Sequence, residues 1–435
     1  MSKLRALLLG AVVALGFSAT AEAAPEVQQV TTPGGFKALL VTTPTPHMVD
    51  VNITFSCGPL FDPNGKEGLA HLTSTLFNES VAGMDTLTFT RKMEDLGTSI
   101  GGEAGGEYLS VKLRSLSTKL DGSFALYGKA VLHPDFTDGD TARMKQQIIS
   151  GLQDDATDPD TIAGQAYARL VYGDNPRSRP DNGTVDSVSG LTAADVKALH
   201  SRCVTRSNAV ISVVGDVDAA TLSHLLDTYL ADMPQGDGRW QAPVITTPVN
   251  PSLKRIEVPV PQSTILMGHL LDLPRDHEDF WPLHVANYIF GGGGFESRLT
   301  DEVREKRGLA YSVGSNIWSI KQRGMFMVQT GVKNATVDTT IHIVRDELAK
   351  LVGDGVTDEE LKNAKAYLAG EFPIRMGSNS TIMSYLDLMQ LEGLPLDYMD
   401  TRVDKILAVT KADILRAVQR HLSPDKLTTV IVGGN

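Results

Sequence analysis

The residues of this sequence that could do chemistry are concentrated in two segments. In the first, Gly68–Phe77, a single imidazole, that of His71, is followed by Ser74 and Thr75. One histidine does not make a catalytic zinc site, because such a site needs three protein ligands. The neighbouring hydroxyl groups are poor zinc ligands and do not act as bases near pH 7. The residues alone therefore indicate that His71 is a partly buried histidine without a metal.

The second segment is Phe290–Val313, which contains four consecutive glycines and then Arg304, Arg307 and Tyr311. Guanidinium and phenol groups are hydrogen-bond donors that can stabilise developing negative charge. The alternative is that this arginine-rich stretch only forms surface ion pairs with its own glutamates, Glu302 and Glu305. From the residue types alone, the ion-pair interpretation is favoured.

Strands and helices are mixed in the part of the chain that must position these groups. Strands are expected at Lys37–Val41, Val51–Ser56 and Tyr108–Leu113, and helices at Gly68–Phe77, Phe89–Leu96 and Ser123–Leu132. The order β, β, α, α, β, α lacks the strict alternation of a doubly wound sheet. The predicted class is α+β, with each half of the chain a sheet covered by helices on one face.

An internal duplication indicates two similar domains. The segment from Leu191 to Gly215 matches the segment from Val409 to Gly433 at a constant offset, without gaps. In both copies a Thr N-cap with an acid three residues later precedes an amphipathic helix, and a buried strand ends on Gly. The identical pairs are Thr192/Thr410, Ala194/Ala412, Asp195/Asp413, Arg202/Arg420, Val214/Val432 and Gly215/Gly433.

The N-terminus, the linker and the net charge give further predictions about domain bounds, location and partners. Residues 1–23 are typical of a cleaved signal peptide, which predicts export, to the periplasm in a cell with two membranes. The predicted domains are 24–232 and 253–435, joined by a Pro- and Gly-containing linker at 233–252. A net charge of −12 argues against a nucleic-acid partner, and no later run is apolar enough for a membrane span.

Two cysteines exclude a disulfide scaffold and a multi-cysteine metal site. Cys57 and Cys203 could pair in an oxidising compartment. Two separate buried thiols are the alternative, and the sequence favours them slightly.

Both segments resemble the pitrilysin/insulinase family of zinc peptidases, which includes the mitochondrial processing peptidases. The similarity extends from about residue 30 to the end of the chain. Active members carry H-x-x-E-H, in which two histidines bind zinc and the glutamate activates water. Here His71 is retained, but Ser74 and Thr75 replace the glutamate and the second histidine.

The resemblance implies that this chain binds no metal, and it assigns the second segment a role. The family's third ligand, a glutamate, would fall near Ser150–Leu152, where no acid lies. By the same register Arg304 and Tyr311 would contact the substrate backbone and the developing oxyanion, with Arg307 as the rival arginine. If the stretch is helical, seven residues advance about 700°, so Arg304 and Tyr311 would share a face.

This pattern predicts a non-zinc-binding subunit of a periplasmic heterodimeric zinc peptidase. A homologous partner would bind the zinc, and peptides would be the substrates. Arg304 and Tyr311 would complete the partner's site, and the chain would be inactive alone. The alternative is a catalytically inactive scaffold or peptide-binding protein. A self-sufficient enzyme with an unusual metal site fits the sequence least well.

Overall fold

The computed structural model describes residues 25–248, 250–319 and 322–434. The predicted signal peptide, 1–23, lies outside these ranges. The fold is α+β, as predicted, with two sheets formed by the two halves of the chain. No helix within the described ranges is both long enough and apolar enough to cross a membrane.

The first half forms a six-stranded sheet in the order β1-β2-β6-β3-β5-β4. Its strands are β1 (Gln28–Thr31), β2 (Lys37–Thr42), β3 (Met48–Phe55), β4 (Ser99–Gly105), β5 (Tyr108–Leu116) and β6 (Ala209–Gly215). Its helices are α1 (Leu69–Thr75), α2 (Thr86–Leu96), α3 (Leu120–Leu132), α4 (Asp138–Asp155), α5 (Pro159–Tyr172), α6 (Val185–Ser189), α7 (Ala193–Cys203) and α8 (Ala219–Tyr229).

The second half forms a five-stranded sheet in the order β7-β11-β8-β10-β9. Its strands are β7 (Leu253–Ile256), β8 (Val260–Leu271), β9 (Ala310–Trp318), β10 (Gly324–Lys333) and β11 (Thr428–Gly434). Its helices are α9 (Phe280–Asn287), α10 (Val337–Asp354), α11 (Asp358–Arg375), α12 (Asn379–Glu392), α13 (Tyr398–Ala408) and α14 (Lys411–His421), with π-helical turns at Tyr288–Gly292 and Thr300–Glu305.

The two sheets share one topology. In the first, β2 pairs parallel with β6, and β6, β3, β5 and β4 follow antiparallel. In the second, β7 pairs parallel with β11, and β11, β8, β10 and β9 follow antiparallel. The strand β1 is an additional edge strand of the first sheet. The described part of 230–252, between α8 and β7, contains no helix or strand.

The repeated sequence signals produce the same local structure in both halves. Thr192 caps α7 and Thr410 caps α14, and each threonine forms a reciprocal capping box with the acid three residues later. Gly215 ends β6 and Gly433 is the penultimate residue of β11, with φ of 140° and 144°. A Cβ atom at Gly215 would lie 2.1 Å from a backbone oxygen, so glycine is required there.

Each sheet receives helices from both halves. Helices of its own half cover one face, as the sequence predicts, and one helix from the other half lies on the opposite face. On the second sheet, Tyr167 of α5 packs with Leu266 and Val430. On the first, Leu386 of α12 packs with Val41 and with other buried side chains. Burial of each large apolar side chain contributes about 1.5–3 kcal/mol, so the exchanged helices hold the halves together.

Polar contacts supplement this packing on the first sheet. The carboxylate of Asp387, on α12, accepts hydrogen bonds from Ser212 Oγ (2.6 Å) and Asn52 Nδ2 (2.7 Å). Both partners belong to strands of the first half, and both are buried. These bonds fix the rotation of α12 about its axis, because a buried carboxylate without partners is costly.

Cys57 and Cys203 form a disulfide, with their Cα atoms 5.9 Å apart. The expectation of two separate thiols was therefore wrong. Cys57 follows β3 and Cys203 ends α7, and both are buried. The sequence could not show that the two cysteines lie close together, because 146 positions separate them.

Candidate functional site

The remnant of the zinc motif lies on α1, at the edge of a cavity of about 610 Å³. His71 lines this cavity, and burial lowers the pKa of its imidazole below the usual value. The hydroxyl of Ser74 donates to the carbonyl of His71 (2.7 Å), and that of Thr75 donates to the carbonyl of Leu72 (2.8 Å). Both hydroxyls are thus engaged by the backbone of their own helix.

The position expected for the third zinc ligand lies across the same cavity, on α4. Gly151 and Leu152 line the cavity together with His71 and Thr75, so the register is consistent with the geometry. Neither side chain can bind a metal. Asp155, one turn further along α4, also lines the cavity.

A second carboxylate in this cavity is already neutralised. Glu79 accepts hydrogen bonds from Arg143 Nη2 (2.5 Å) and from the hydroxyl of Thr86 (2.9 Å). The cavity therefore offers one imidazole, one ion-paired carboxylate and one further acid, Asp155. This set does not fit a catalytic zinc ion, which needs three converging ligands.

The one cluster of three potential metal ligands in the described ranges lies in the second half. The ligand atoms of His277, Asp279 and His421 lie within 4.8 Å of one another. Asp279 is fully buried and accepts hydrogen bonds from His421 Nε2 (3.0 Å), Arg416 Nη2 (3.2 Å) and Arg420 Nη1 (3.3 Å). Two guanidinium groups compensate this carboxylate, so the cluster acts as an ion-pair network that ties α14 to the start of α9.

The arginine and tyrosine of the second segment lie side by side. The guanidinium carbon of Arg304 lies 5.1 Å from the centre of the Tyr311 ring. The helical expectation was wrong in detail, because Tyr311 belongs to β9 and Arg304 to a π-helical turn. The chain reverses at Gly308, which has a φ of 60°, and this reversal brings the two side chains together.

Arg307 points elsewhere. Its guanidinium forms an ion pair with Glu302 and donates to the carbonyl of the same residue (2.7 Å). Lys306 also pairs with Glu302 (2.6 Å), so the surface ion pairs considered from the sequence are present as well. Of the two candidate arginines, Arg304 is the one that contacts Tyr311.

Sequence reasoning missed one residue at this site, Phe295. Its ring lies 4.6 Å from the guanidinium carbon of Arg304, on a turn that follows the glycine run. Phe295 and Tyr311 are 69% and 85% exposed, which is unusual for aromatic side chains. The signal available in the sequence was an aromatic residue directly after the glycine run Gly291–Gly294.

Comparison with known proteins matches two parts of the chain to two separate family models. Residues 37–180 match the family model described as "Insulinase (Peptidase family M16)", and residues 190–368 match the one described as "Peptidase M16 inactive domain". A solved structure of a peptidase M16 inactive domain from Pseudomonas fluorescens is 31% identical, with a TM-score of 0.89. The alignment covers 94% of this chain and 98% of that one. The chain is a member of the M16 peptidase family.

Two further relatives show the extent of the similarity. This M16 chain is 25% identical to the non-peptidase homolog YmxG of Helicobacter pylori, over 98% of its own length and 97% of the relative's. The periplasmic protease PqqL from Escherichia coli has the same fold, with a TM-score of 0.81 and 15% identity. The M16 chain covers only 49% of PqqL, so it corresponds in fold to half of that protein.

Proposed function

We propose that this M16 chain is the non-zinc-binding subunit of an exported heterodimeric zinc metallopeptidase. The observation that carries the proposal is the contrast between the two segments. The cavity beside His71 lacks a ligand set, whereas Arg304 and Tyr311 lie together and Tyr311 is exposed. A homologous partner with an intact H-x-x-E-H motif would hold the zinc that activates water.

Arg304 and Tyr311 would supply the donors that such a site needs for its substrate. Among the described residues, neither Nη atom of Arg304 nor the Tyr311 hydroxyl has a hydrogen-bond partner. These groups are therefore available to a peptide carbonyl. As that carbonyl becomes an oxyanion, donors already in position stabilise it without rearrangement. Free of such a partner, the chain would be inactive.

The size and the disulfide of the chain support this assignment. Because this chain covers only 49% of PqqL, a second chain would supply what corresponds to the rest of such a protease. A disulfide between Cys57 and Cys203 is typical of proteins that fold outside the cytosol. This agrees with the export that the predicted signal peptide implies, to the periplasm of a two-membrane cell.

The test is reconstitution with an exported paralogue that carries H-x-x-E-H. Each chain is assayed alone and in the mixture with a quenched peptide, and zinc is measured in each. We expect cleavage only in the mixture, abolished by a chelator. Arg304→Ala and Tyr311→Phe should each lower kcat by about 100-fold, the usual cost of removing an oxyanion donor. Arg307→Ala removes the same charge from a side chain paired with Glu302 and should have a much smaller effect.

Other outcomes of this experiment identify the competing functions. If the two chains associate but Arg304→Ala and Tyr311→Phe leave cleavage unchanged, the chain is a peptidase-fold scaffold or peptide-binding protein. Cleavage by this chain alone, with bound zinc, would mean that His71, Ser74 and Thr75 do not mark the position of the site.

A further inference from the structure

The guanidinium group of Arg304 contacts two aromatic rings. The Phe295 ring centre lies 4.6 Å from the guanidinium carbon, and the Tyr311 ring centre lies 5.1 Å from the same atom. Cation–π attraction operates at these distances. Both rings are largely exposed, so neither owes its position to burial in a core.

The backbone around Phe295 is built to hold the ring at this place. Gly294 has a φ of 56°, which turns the chain sharply before Phe295. The buried hydroxyl of Ser297 donates to the Gly294 carbonyl (2.7 Å), and the Ser297 amide donates to the same oxygen (3.1 Å). Two hydrogen bonds from Ser297 thus stabilise the short turn that carries the exposed phenyl group.

Contact with two rings limits the movement of the guanidinium group without using its hydrogen-bond donors. The ring faces attract the positive charge, but they do not use the N–H groups at the edge of the guanidinium. The Glu305 carboxylate lies 3.4 Å from Nε of Arg304, and neither Nη atom donates a hydrogen bond to another residue of the described structure. The Nη edge therefore stays free, while the side chain loses much of its rotational freedom.

We propose that Phe295 is a positioning residue, which orients Arg304 for the peptide carbonyl. This inference rests on the proposed function, because it assigns Phe295 a part in the same reaction. Phe295 itself would not need to touch the reacting atoms. Its ring would keep the Arg304 donors in place before the substrate arrives. The entropic cost of orienting the side chain would then not add to the activation free energy of the reaction.

The first test uses this chain alone and needs no partner. The Nε–H resonance of Arg304, assigned with an Arg304→Lys variant, should be shifted upfield by the ring currents in the wild type. Phe295→Leu should remove a large part of that shift, whereas Phe295→Tyr should keep it. An Arg304 resonance unchanged by Phe295→Leu would overturn the proposal.

The second test uses the reconstituted two-chain enzyme. Phe295→Leu should lower kcat about fivefold and change KM less than twofold, and Phe295→Tyr should restore kcat. A factor of five corresponds to about 1 kcal/mol at 1.36 kcal/mol per tenfold, the strength of one exposed cation–π contact. Equal losses for Leu and Tyr, or weaker association of the two chains with Leu, would overturn the positioning role. If no mixture cleaves peptide, the proposed function fails, and the resonance test still decides whether Phe295 holds Arg304.

Discussion

Zinc binding should be recoverable by two substitutions in the cavity beside His71. Thr75→His places a second imidazole one helical turn from His71, and Gly151→Glu places a carboxylate on the facing helix. A Cβ atom at Gly151 would meet nothing within 4 Å, so the larger side chain has room. Replacing a mid-helix glycine also stabilises α4 by about 0.5–1 kcal/mol. The double variant should therefore fold and offer three ligands.

The size of the effect follows from the length of the chain. Free zinc at 100 times its dissociation constant adds about 2.7 kcal/mol to the free energy of unfolding. An unfolding entropy of about 2.1 cal/mol/K per residue gives about 0.9 kcal/mol/K for 435 residues. The double variant should then gain about 3 °C in Tm with zinc, and the wild type should gain none.

Calorimetry and metal analysis measure this outcome directly. The matched controls are the two single variants and the double variant with His71→Ala, none of which combines His71 with both introduced ligands. Peptide cleavage should remain absent in all of them, since Ser74 still stands where the base is needed. A well-folded double variant that binds no zinc would refute the assignment of this cavity as the former metal site.

Three other perturbations test the stability of the fold. Replacing Cys57 and Cys203 by Ala should lower the free energy of unfolding by about 2–5 kcal/mol, because the disulfide closes a long loop in the unfolded chain; equal urea midpoints would contradict this. Burial and nearby arginines lower the pKa of His284 to about 4, so protonation favours the unfolded state below about pH 6.5. His284 should contribute a loss of about 2 kcal/mol between pH 7 and pH 5, and His284→Gln should remove that part of the loss; a variant with the same pH profile as the wild type would argue against it. Asp279→Asn should cost about 1.5 kcal/mol by chemical denaturation, because it weakens the charge-assisted hydrogen bonds that His421 and Arg416 donate to this buried carboxylate; an unchanged denaturation midpoint would mean that solvent replaces these bonds.

The fold was predictable where local signals repeat. Thr192 and Thr410, each with an acid three residues later, predicted two equivalent helices. Both capping boxes are present. Strand-like apolar runs likewise indicated β2 and β3, and alternating apolar residues indicated β5. The strand β4 was not anticipated, because Ser99–Gly105 contains three glycines and owes its conformation to pairing with β5.

Long-range features of the site could not be predicted from the sequence. The sequence spacing of Arg304 and Tyr311 suggested one helix face, but the chain reverses at Gly308 and brings them together by another route. Phe295 was missed because its contact with Arg304 depends on the turn at Gly294. In the same way, no local pattern indicates which sheet α5 or α12 covers.

The exchange of α5 and α12 means that the duplicated chain is not two separable modules. A single cut in the segment 230–252 would leave two fragments, each with a helix inserted against the other's sheet. The disulfide lies wholly in the first fragment and would not tether them. The fragments would nevertheless stay associated through buried side chains, as in a split protein that reassembles on co-expression. Either fragment produced alone would expose an apolar sheet face, so truncation at the duplication boundary would yield aggregation rather than a half-sized domain.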